Sequence, residues 1–264
     1  MKMENNYVSC HLQGGLGNYL FQISAAYGIS KRDNKELKID IRDIVVIHSP
    51  LELYSNNILR NVQFGDINNF EFIHQTHHQP IKFINIPIIS GNLKLDGYYQ
   101  NEKYFKEYQN EIFNLYKIDD VTENYLTDKY KLLKFENTCS IHVRRGNYVE
   151  RQNVHPLQTI DYYKQATSII GEDVLFLIFS DDIEWCKINL DFIKNKIFIS
   201  GNLDYQDLYL MSMCNHNIIA NSSFSWWGAW LNQNKNKKII YPSYWFSNGL
   251  FDTSEIGGEN WIII

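Results

Sequence analysis

The sequence predicts an α/β protein built on parallel strands with helices on both faces. Three observations carry this expectation. Strand-like and helix-like stretches alternate from Thr138 to Tyr241, the pattern of repeated β–α–β units. Residues 174–179 form an uninterrupted apolar run, as a strand covered on both sides requires. The chain opens on a strand-like run, a glycine loop and a helix with an apolar face, the first unit of many α/β domains.

Taken in order, residues 7–12 read as a strand. Gln13-Gly14-Gly15-Leu16-Gly17-Asn18 is a loop, and Leu20, Phe21, Ile23, Ala25 and Ala26 supply the apolar face of the helix after it. Residues 37–41 read as a second strand. Residues 44–89 are rich in Asn, His and Ile, have no clear period, and yield no ordered elements. Residues 93–98 read as a strand and 101–115 as a helix, while the polar run 117–130 reads as a link between two halves. Beyond it, strands at 138–143, 174–179, 196–200, 217–220 and 238–241 alternate with helices at 159–170, 183–190, 204–214 and 222–231. Ligands of such sheets gather beyond the carboxyl ends of the strands. Arg144, Arg145, Asp181, Asp182, Ser222 and Ser223 all fall at such ends.

The 264 residues suffice for one large domain or two small ones, and a hydrophobic fraction of 44% allows a substantial core. Aromatic residues make up 15%, most of them expected in that core. The formal charge of −5 argues against broad nucleic-acid binding, which needs a basic face. Cys10, Cys139, Cys186 and Cys214 show no paired spacing and read as reduced, buried thiols. No run approaches the roughly 20 apolar residues of a membrane span, and no leader-like apolar run opens the chain, so a cytoplasmic setting is expected.

The chemistry-bearing residues stand at the turns. The run from Cys139 to Val143 leads into Arg144, Arg145 and Gly146. Guanidinium forks at a strand end suit a diphosphate, and the glycine permits close backbone approach. Ser222-Ser223-Phe224-Ser225-Trp226-Trp227-Gly228 opens a helix just after a strand. Its hydroxyls read as caps, and the same helix end suits a phosphate. Trp226, Trp227 and Trp230 read as packing. Asp181 and Asp182 suit a purine edge or a ribose, or one of them caps the following helix. Gly14-Gly15-Leu16-Gly17 is neither a Walker loop nor a full dinucleotide fingerprint, since Leu20 stands at the third glycine position. It either brings backbone to a substrate or simply turns a strand into a helix. His74, His77 and His78 lack the cysteine or carboxylate that would complete a zinc set, so no metal is expected there.

Together these motifs resemble glycosyltransferase family 11, the α-1,2-fucosyltransferases. The resemblance rests on Gly14-Gly15-Leu16-Gly17-Asn18 with Leu20-Phe21-Gln22, and on the run from Gly97 through Tyr98, Gln100 and Asn101 to Phe105. It continues through His142-Val143-Arg144-Arg145-Gly146-Asn147-Tyr148, Phe179-Ser180-Asp181-Asp182 and the stretch from Asp207 to Gly228. It implies a GT-B architecture, two Rossmann-like halves with parallel sheets flanking a cleft, with an acceptor-side domain over 1–134 and a GDP-sugar-binding domain over 135–264. It implies GDP-β-L-fucose as donor substrate, no cofactor, no metal, and inverting transfer to the 2-hydroxyl of a terminal β-galactoside. By the same resemblance Arg144 and Arg145 lie at the diphosphate, His142 and Asp182 near the nucleoside, and Ser222 and Ser223 near the phosphates. Asp181, Asn221 and Phe224 complete the donor set. Gly15, Gly17, Asn18, Tyr98 and Gln100 face the acceptor, and Arg144, Arg145 and Asn18 are the catalytic residues.

The chain carries Asn147 where the family has an aspartate, and Tyr19 where glutamine is frequent. No general base emerges from the motifs, and Glu102 and Glu150 are the carboxylates to consider. Two other readings stay open. One is transfer of another deoxyhexose such as L-rhamnose. The other is a non-catalytic protein that binds a GDP-sugar or a glycan.

Overall fold

The computed structural model describes residues 6–42, 50–75, 80–131, 137–247 and 249–264. They fall into two units, one of residues 1–119 and 251–256, the other of residues 120–250 and 257–264.

The first unit begins with β1 (Tyr7–Cys10) and α1 (Leu16–Arg32). Nearly every residue of α1 from Leu16 to Ser30 is buried, and Lys31 and Arg32 close its last turn, where cations offset the helix dipole. β2 (Glu36–Leu37), α2 (Leu51–Ser55), β3 (Phe70–His74) and β4 (Asn92–Asp96) follow. The sheet is parallel throughout, in the order β2-β1-β4-β3. The strand expected at 37–41 ends early, with Ile39 adding one isolated bridge to Phe64. The expected single helix at 101–115 is broken into two short 3-10 turns and α3 (Gln109–Leu115), because Phe105 leaves the helical region at φ −139 and ψ −2.

The second unit starts earlier than the sequence suggests. The supposed link contains α4 (Asp120–Lys129), which carries its buried Thr122 and Leu126 inward. Lys129 Nζ donates to Asn202 Oδ1 at 2.5 Å, and Asn202 Nδ2 donates to Asp207 Oδ1 at 2.7 Å, so this helix belongs with the second unit rather than with residues 1–134. The chain then runs β5 (Thr138–Val143), α5 (Ile160–Ile170), β6 (Leu175–Ser180), α6 (Ile183–Asn189), β7 (Lys196–Phe198) and α7 (Asp204–Met213). It finishes with β8 (His216–Ile218), α8 (Ser223–Trp230), β9 (Ile239–Tyr241) and β10 (Ile262–Ile263). All six strands are parallel, in the order β10-β9-β8-β5-β6-β7.

Cys139, Ile141, Val143, Phe176, Ile178, Ile218 and Ile240 on these strands pack with Tyr162, Tyr163, Ala166 and Ile170 of α5. The four inward residues of α5 are spaced for one helical face. Thr159 caps this helix, its hydroxyl accepting the Tyr162 N–H at 3.2 Å. Thr159→Ala is expected to lower unfolding free energy by about 1 kcal/mol, read as a shifted urea midpoint at constant slope.

A second departure lies near the C-terminus, where residues 251–256 return to the first unit. Glu255 explains the return. Its carboxylate accepts from Phe83 N–H at 2.8 Å, Asn101 Nδ2 at 2.7 Å and Lys103 Nζ at 2.7 Å. All four cysteines are buried free thiols, as expected. Among the described residues no helix is long and apolar enough to cross a membrane.

Candidate active site

The order of the second sheet reverses between β5 and β8, and the crevice beyond the carboxyl ends of strands at such a reversal is where open α/β sheets hold nucleotides. β5 is buried along its whole length, so the chain first meets solvent at Arg144. The two arginines part company there. Arg144 is tied at both ends of its fork, Nη1 to Asp181 Oδ2 at 2.7 Å and Nη2 to Asn147 Oδ1 at 2.6 Å, with its guanidinium 5.1 Å from the Tyr148 ring centre. Arg145 donates through Nε to Asp182 Oδ2 at 2.9 Å and lies 4.3 Å over the Trp185 ring. No partner among the described residues is recorded on its two Nη groups.

Both aspartates have places in this frame. Asp181 accepts the Arg145 backbone N–H at 2.8 Å besides pairing with Arg144. Asp182 caps α6 by accepting the Trp185 N–H at 3.1 Å. The Arg145 bond and that cap hold the Asp182 carboxyl below its ordinary value. His142, 6% exposed, stands behind them with its ring 5.7 Å from that of Phe224. Burial first, then the Arg144 charge, pushes its pKa down to about 3, so at neutral pH it is an uncharged ring. Its Nδ1 is buried with no hydrogen-bond partner among the described residues.

Across the reversal, α8 begins after Ser222. The expected cap is absent. Ser222 occupies the N-cap position in extended backbone but makes no side-chain cap bond. The orphan N–H groups of the first turn are therefore not capped by the serine meant to cap them. Asn221 is committed to structure. Its Nδ2 donates to Pro156 O and Trp245 O, each at 3.0 Å, and its Oδ1 accepts from Gln158 at 3.0 Å. Trp226, Trp227 and Trp230 are buried packing residues, as read.

The first unit has its own sheet reversal, between β1 and β4. The glycine loop beside it turns β1 into α1, with Gly15 as N-cap and Gly17 buried in the first turn. Gly14 has φ +88, and a Cβ there would lie 2.2 Å from Asn18 Nδ2, so that amide occupies the space a side chain would take. Asn18 Oδ1 accepts from Gln100 Nε2 at 2.8 Å. The Gln100 Oε1 is buried with no partner among the described residues. Tyr98 and Tyr99 both donate their N–H to Gln75 Oε1, at 3.1 and 2.8 Å. That bond pair holds buried Tyr99 at φ +48, a left-handed conformation unusual for a tyrosine. Tyr19 is 1% exposed against Tyr54, and so packs the core instead of meeting a ligand. Glu102 pairs with Lys106 at 3.6 Å, and Glu150 is exposed.

Sequence reasoning missed one cluster on this edge. Asp96, last in β4, faces two imidazoles, with Oδ1 3.2 Å from His11 Nδ1 and Oδ2 2.8 Å from His74 Nδ1. The first pair is 85 residues apart and no local pattern announces it. The available signal was position alone, since His11 follows the first strand and Asp96 directly precedes Gly97. Of the three histidines weighed for zinc, His77 and His78 lie outside the described residues. Among the described residues no group of three or more His, Cys, Asp or Glu is placed to hold a metal ion.

Comparison with known proteins bears on the family and the fold. Residues 29–264 match the family described as Glycosyl transferase family 11. An α-1,2-colitosyltransferase of Escherichia coli is 34% identical over 97% of this chain and 98% of its own length. The O-antigen biosynthesis glycosyltransferase WbnK of Escherichia coli is 28% identical over 96% of this chain and 99% of its own. Among solved structures, NodZ α-1,6-fucosyltransferase from Bradyrhizobium, co-crystallised with GDP, superposes with a TM-score of 0.61 at 13% identity, covering 86% of this chain and 92% of that one. The last likeness is one of fold, and it places the two parallel-stranded units in the GT-B-like class expected from the motifs.

Proposed function

The chain belongs to glycosyltransferase family 11, and from that premise we propose that it transfers L-fucose, or a closely related deoxyhexose, from its GDP-sugar to the 2-hydroxyl of a terminal β-galactoside. The observation that carries this reading is the reversal of the second sheet. There, among the described residues, no partner holds the two terminal nitrogens of Arg145, and the end of α8 that lacks a side-chain cap lies across the strand reversal from it. Cleavage of the sugar–phosphate bond leaves negative charge on GDP. Fixed cationic and N–H donors at that point stabilise the transition state more than the ground state. Arg144, held by Asp181 and Asn147, acts in this reading as a strut with residual positive field. Arg145 is the direct ligand of the diphosphate, with His142 and Phe224 on the nucleoside side. Inversion at the anomeric carbon follows from in-line attack by the acceptor hydroxyl. Asn18, with Gly15, Tyr98 and Gln100, stands on the acceptor side. A cytoplasmic setting fits glycan assembly from nucleotide sugars.

The relative at 34% identity favours a second donor, GDP-colitose. Colitose is L-fucose without its 3-hydroxyl. A site built to bond that hydroxyl rejects the deoxy sugar strongly, whereas a site that ignores it accepts both. The test is GDP release from GDP-L-fucose, GDP-colitose and GDP-L-rhamnose, with and without β-galactosides, in EDTA. Acceptor-dependent release that EDTA leaves unchanged is expected from one of the first two donors. Release confined to GDP-rhamnose overturns the donor assignment, GDP binding without release under any acceptor supports the non-catalytic reading, and abolition by EDTA overturns metal independence.

A further inference from the structure

We propose that His11 takes the proton from the acceptor hydroxyl and that Asp96 fixes its imidazole for that task; the inference rests on the transferase reading above. Transfer to a hydroxyl requires that its proton leave, and a positioned base contributes to that step. Three side chains meet at the carboxyl edge of the first sheet: His11 after β1, Asp96 ending β4 and His74 ending β3. An ionised carboxylate only accepts hydrogen bonds. Each imidazole that it contacts through Nδ1 therefore carries its proton on that nitrogen and offers Nε2 as a proton acceptor.

Asp96 itself is a poor base. Both of its oxygens are engaged. Burial pulls its carboxyl upward, but the two imidazole contacts outweigh that and hold it below its ordinary value. Between the histidines, placement favours His11. Its backbone N–H donates to Leu95 O at 2.8 Å, so the ring is anchored between the two strands where the sheet order reverses. Its side chain is 27% exposed, enough for a hydroxyl to reach it, and among the described residues no hydrogen bond is recorded on Nε2. It stands two residues ahead of the glycine loop that opens at Gln13. His74 sits on the outer strand β3 with a side chain 67% exposed, parallel to the Phe72 ring. The strained turn at Tyr99, just past Asp96, is a second sign that this edge is held in a required shape.

The step balances. As the acceptor oxygen bonds the anomeric carbon, its proton passes to His11 Nε2. The bond from that carbon to the diphosphate oxygen breaks, and its electron pair leaves on GDP. The imidazolium formed on His11 is paired by Asp96 until the proton passes to water.

The test compares the wild-type chain with His11→Ala, His11→Gln and Asp96→Asn, each measured for acceptor-dependent kcat, acceptor KM and GDP affinity. Glutamine fills similar space and forms hydrogen bonds but takes no proton. Both His11 variants are expected to lose about 10²- to 10⁴-fold in kcat with GDP affinity unchanged, and added imidazole is expected to restore part of the His11→Ala loss. Asp96→Asn is expected to lower kcat as well, while leaving GDP affinity intact. His11→Gln turning over within threefold of an active wild type overturns the base assignment alone. A wild type that transfers no sugar from any donor to any acceptor overturns the transferase reading, and the base with it.

Discussion

Arg145→Ala is expected to lower kcat/KM for the GDP-sugar by about ten- to a hundredfold. The substitution removes a charge-assisted contact, of order 1.5–3 kcal/mol, and each 1.4 kcal/mol is a factor of about ten. It also leaves Asp182 without its cation, so that in the proposed donor site a bare carboxylate would face the diphosphate. Although it stands at a strand end, the side chain also packs, its guanidinium lying 4.3 Å over the Trp185 ring. Losing that contact is worth about 0.5–1 kcal/mol, too little to unfold the unit. Arg145→Lys keeps the charge without the fork and is expected to fall between the two. Arg144, whose fork is filled by Asp181 and Asn147, is the internal comparison. Steady-state kinetics with donor varied, together with calorimetric GDP binding, read the effect. Unchanged donor KM and kcat in Arg145→Ala would remove the residue from the donor site.

Gly28→Ala is the second large effect. In an ordinary helix interior this change stabilises, by up to about 1 kcal/mol. Here a Cβ would sit 1.9 Å from the Tyr104 carbonyl oxygen, 2.9 Å from its carbon and 3.2 Å from Phe105 Cα. All three are backbone atoms, which cannot turn aside as a side chain would. Either α1 or the 3-10 turn at Glu102–Tyr104 must move, and α1 anchors the glycine loop and Asn18. Overpacking of this kind costs about 3 kcal/mol. Chemical denaturation is expected to give a lower midpoint, with acceptor KM raised. A variant as stable as the parent would mean that α1 and this turn are not packed backbone to backbone.

The strands of the second unit were readable from their alternation with helices, and β6 also from the continuous apolar run that burial on both faces leaves, whereas β5, equally buried, carries Thr138, Ser140 and His142 among its apolar residues. β3 was not. Its sequence, Phe70-Glu71-Phe72-Ile73-His74, lies on an edge and breaks the apolar–polar alternation at Phe72-Ile73, and its burial does not follow its apolar residues, since Phe72 is exposed. α4 hid for a similar reason, since only Thr122 and Leu126 of its ten residues are buried. β10 spans two residues and exists because β9 is there to pair with it. Of the candidate site residues, those close in sequence could be grouped by eye: the arginine pair, the aspartate pair and the glycine loop. Ser222 shows the limit of that reading, since a serine at an N-cap position need not turn its hydroxyl to the helix. The link of Asn147 to Arg144 spans three residues, yet it depends on the 3-10 turn at Gly146–Tyr148. Contacts made across strands, His11 with Asp96 above all, have no local signature, because strand order, not sequence distance, sets them.

The return of residues 251–256 to the first unit has a consequence for how such enzymes can be recombined. The backbone passes between units after residues 119, 250 and 256, so neither half is one continuous stretch of gene. A chimaera joined at a single point would graft a foreign hexapeptide onto the first unit, and Phe83, Asn101 and Lys103 would lose the carboxylate of Glu255 unless the donor of that segment supplied it. In the proposed reading, which puts the acceptor site on the first unit, acceptor preference is inherited in two pieces, and an exchange of specificity between relatives has to carry both.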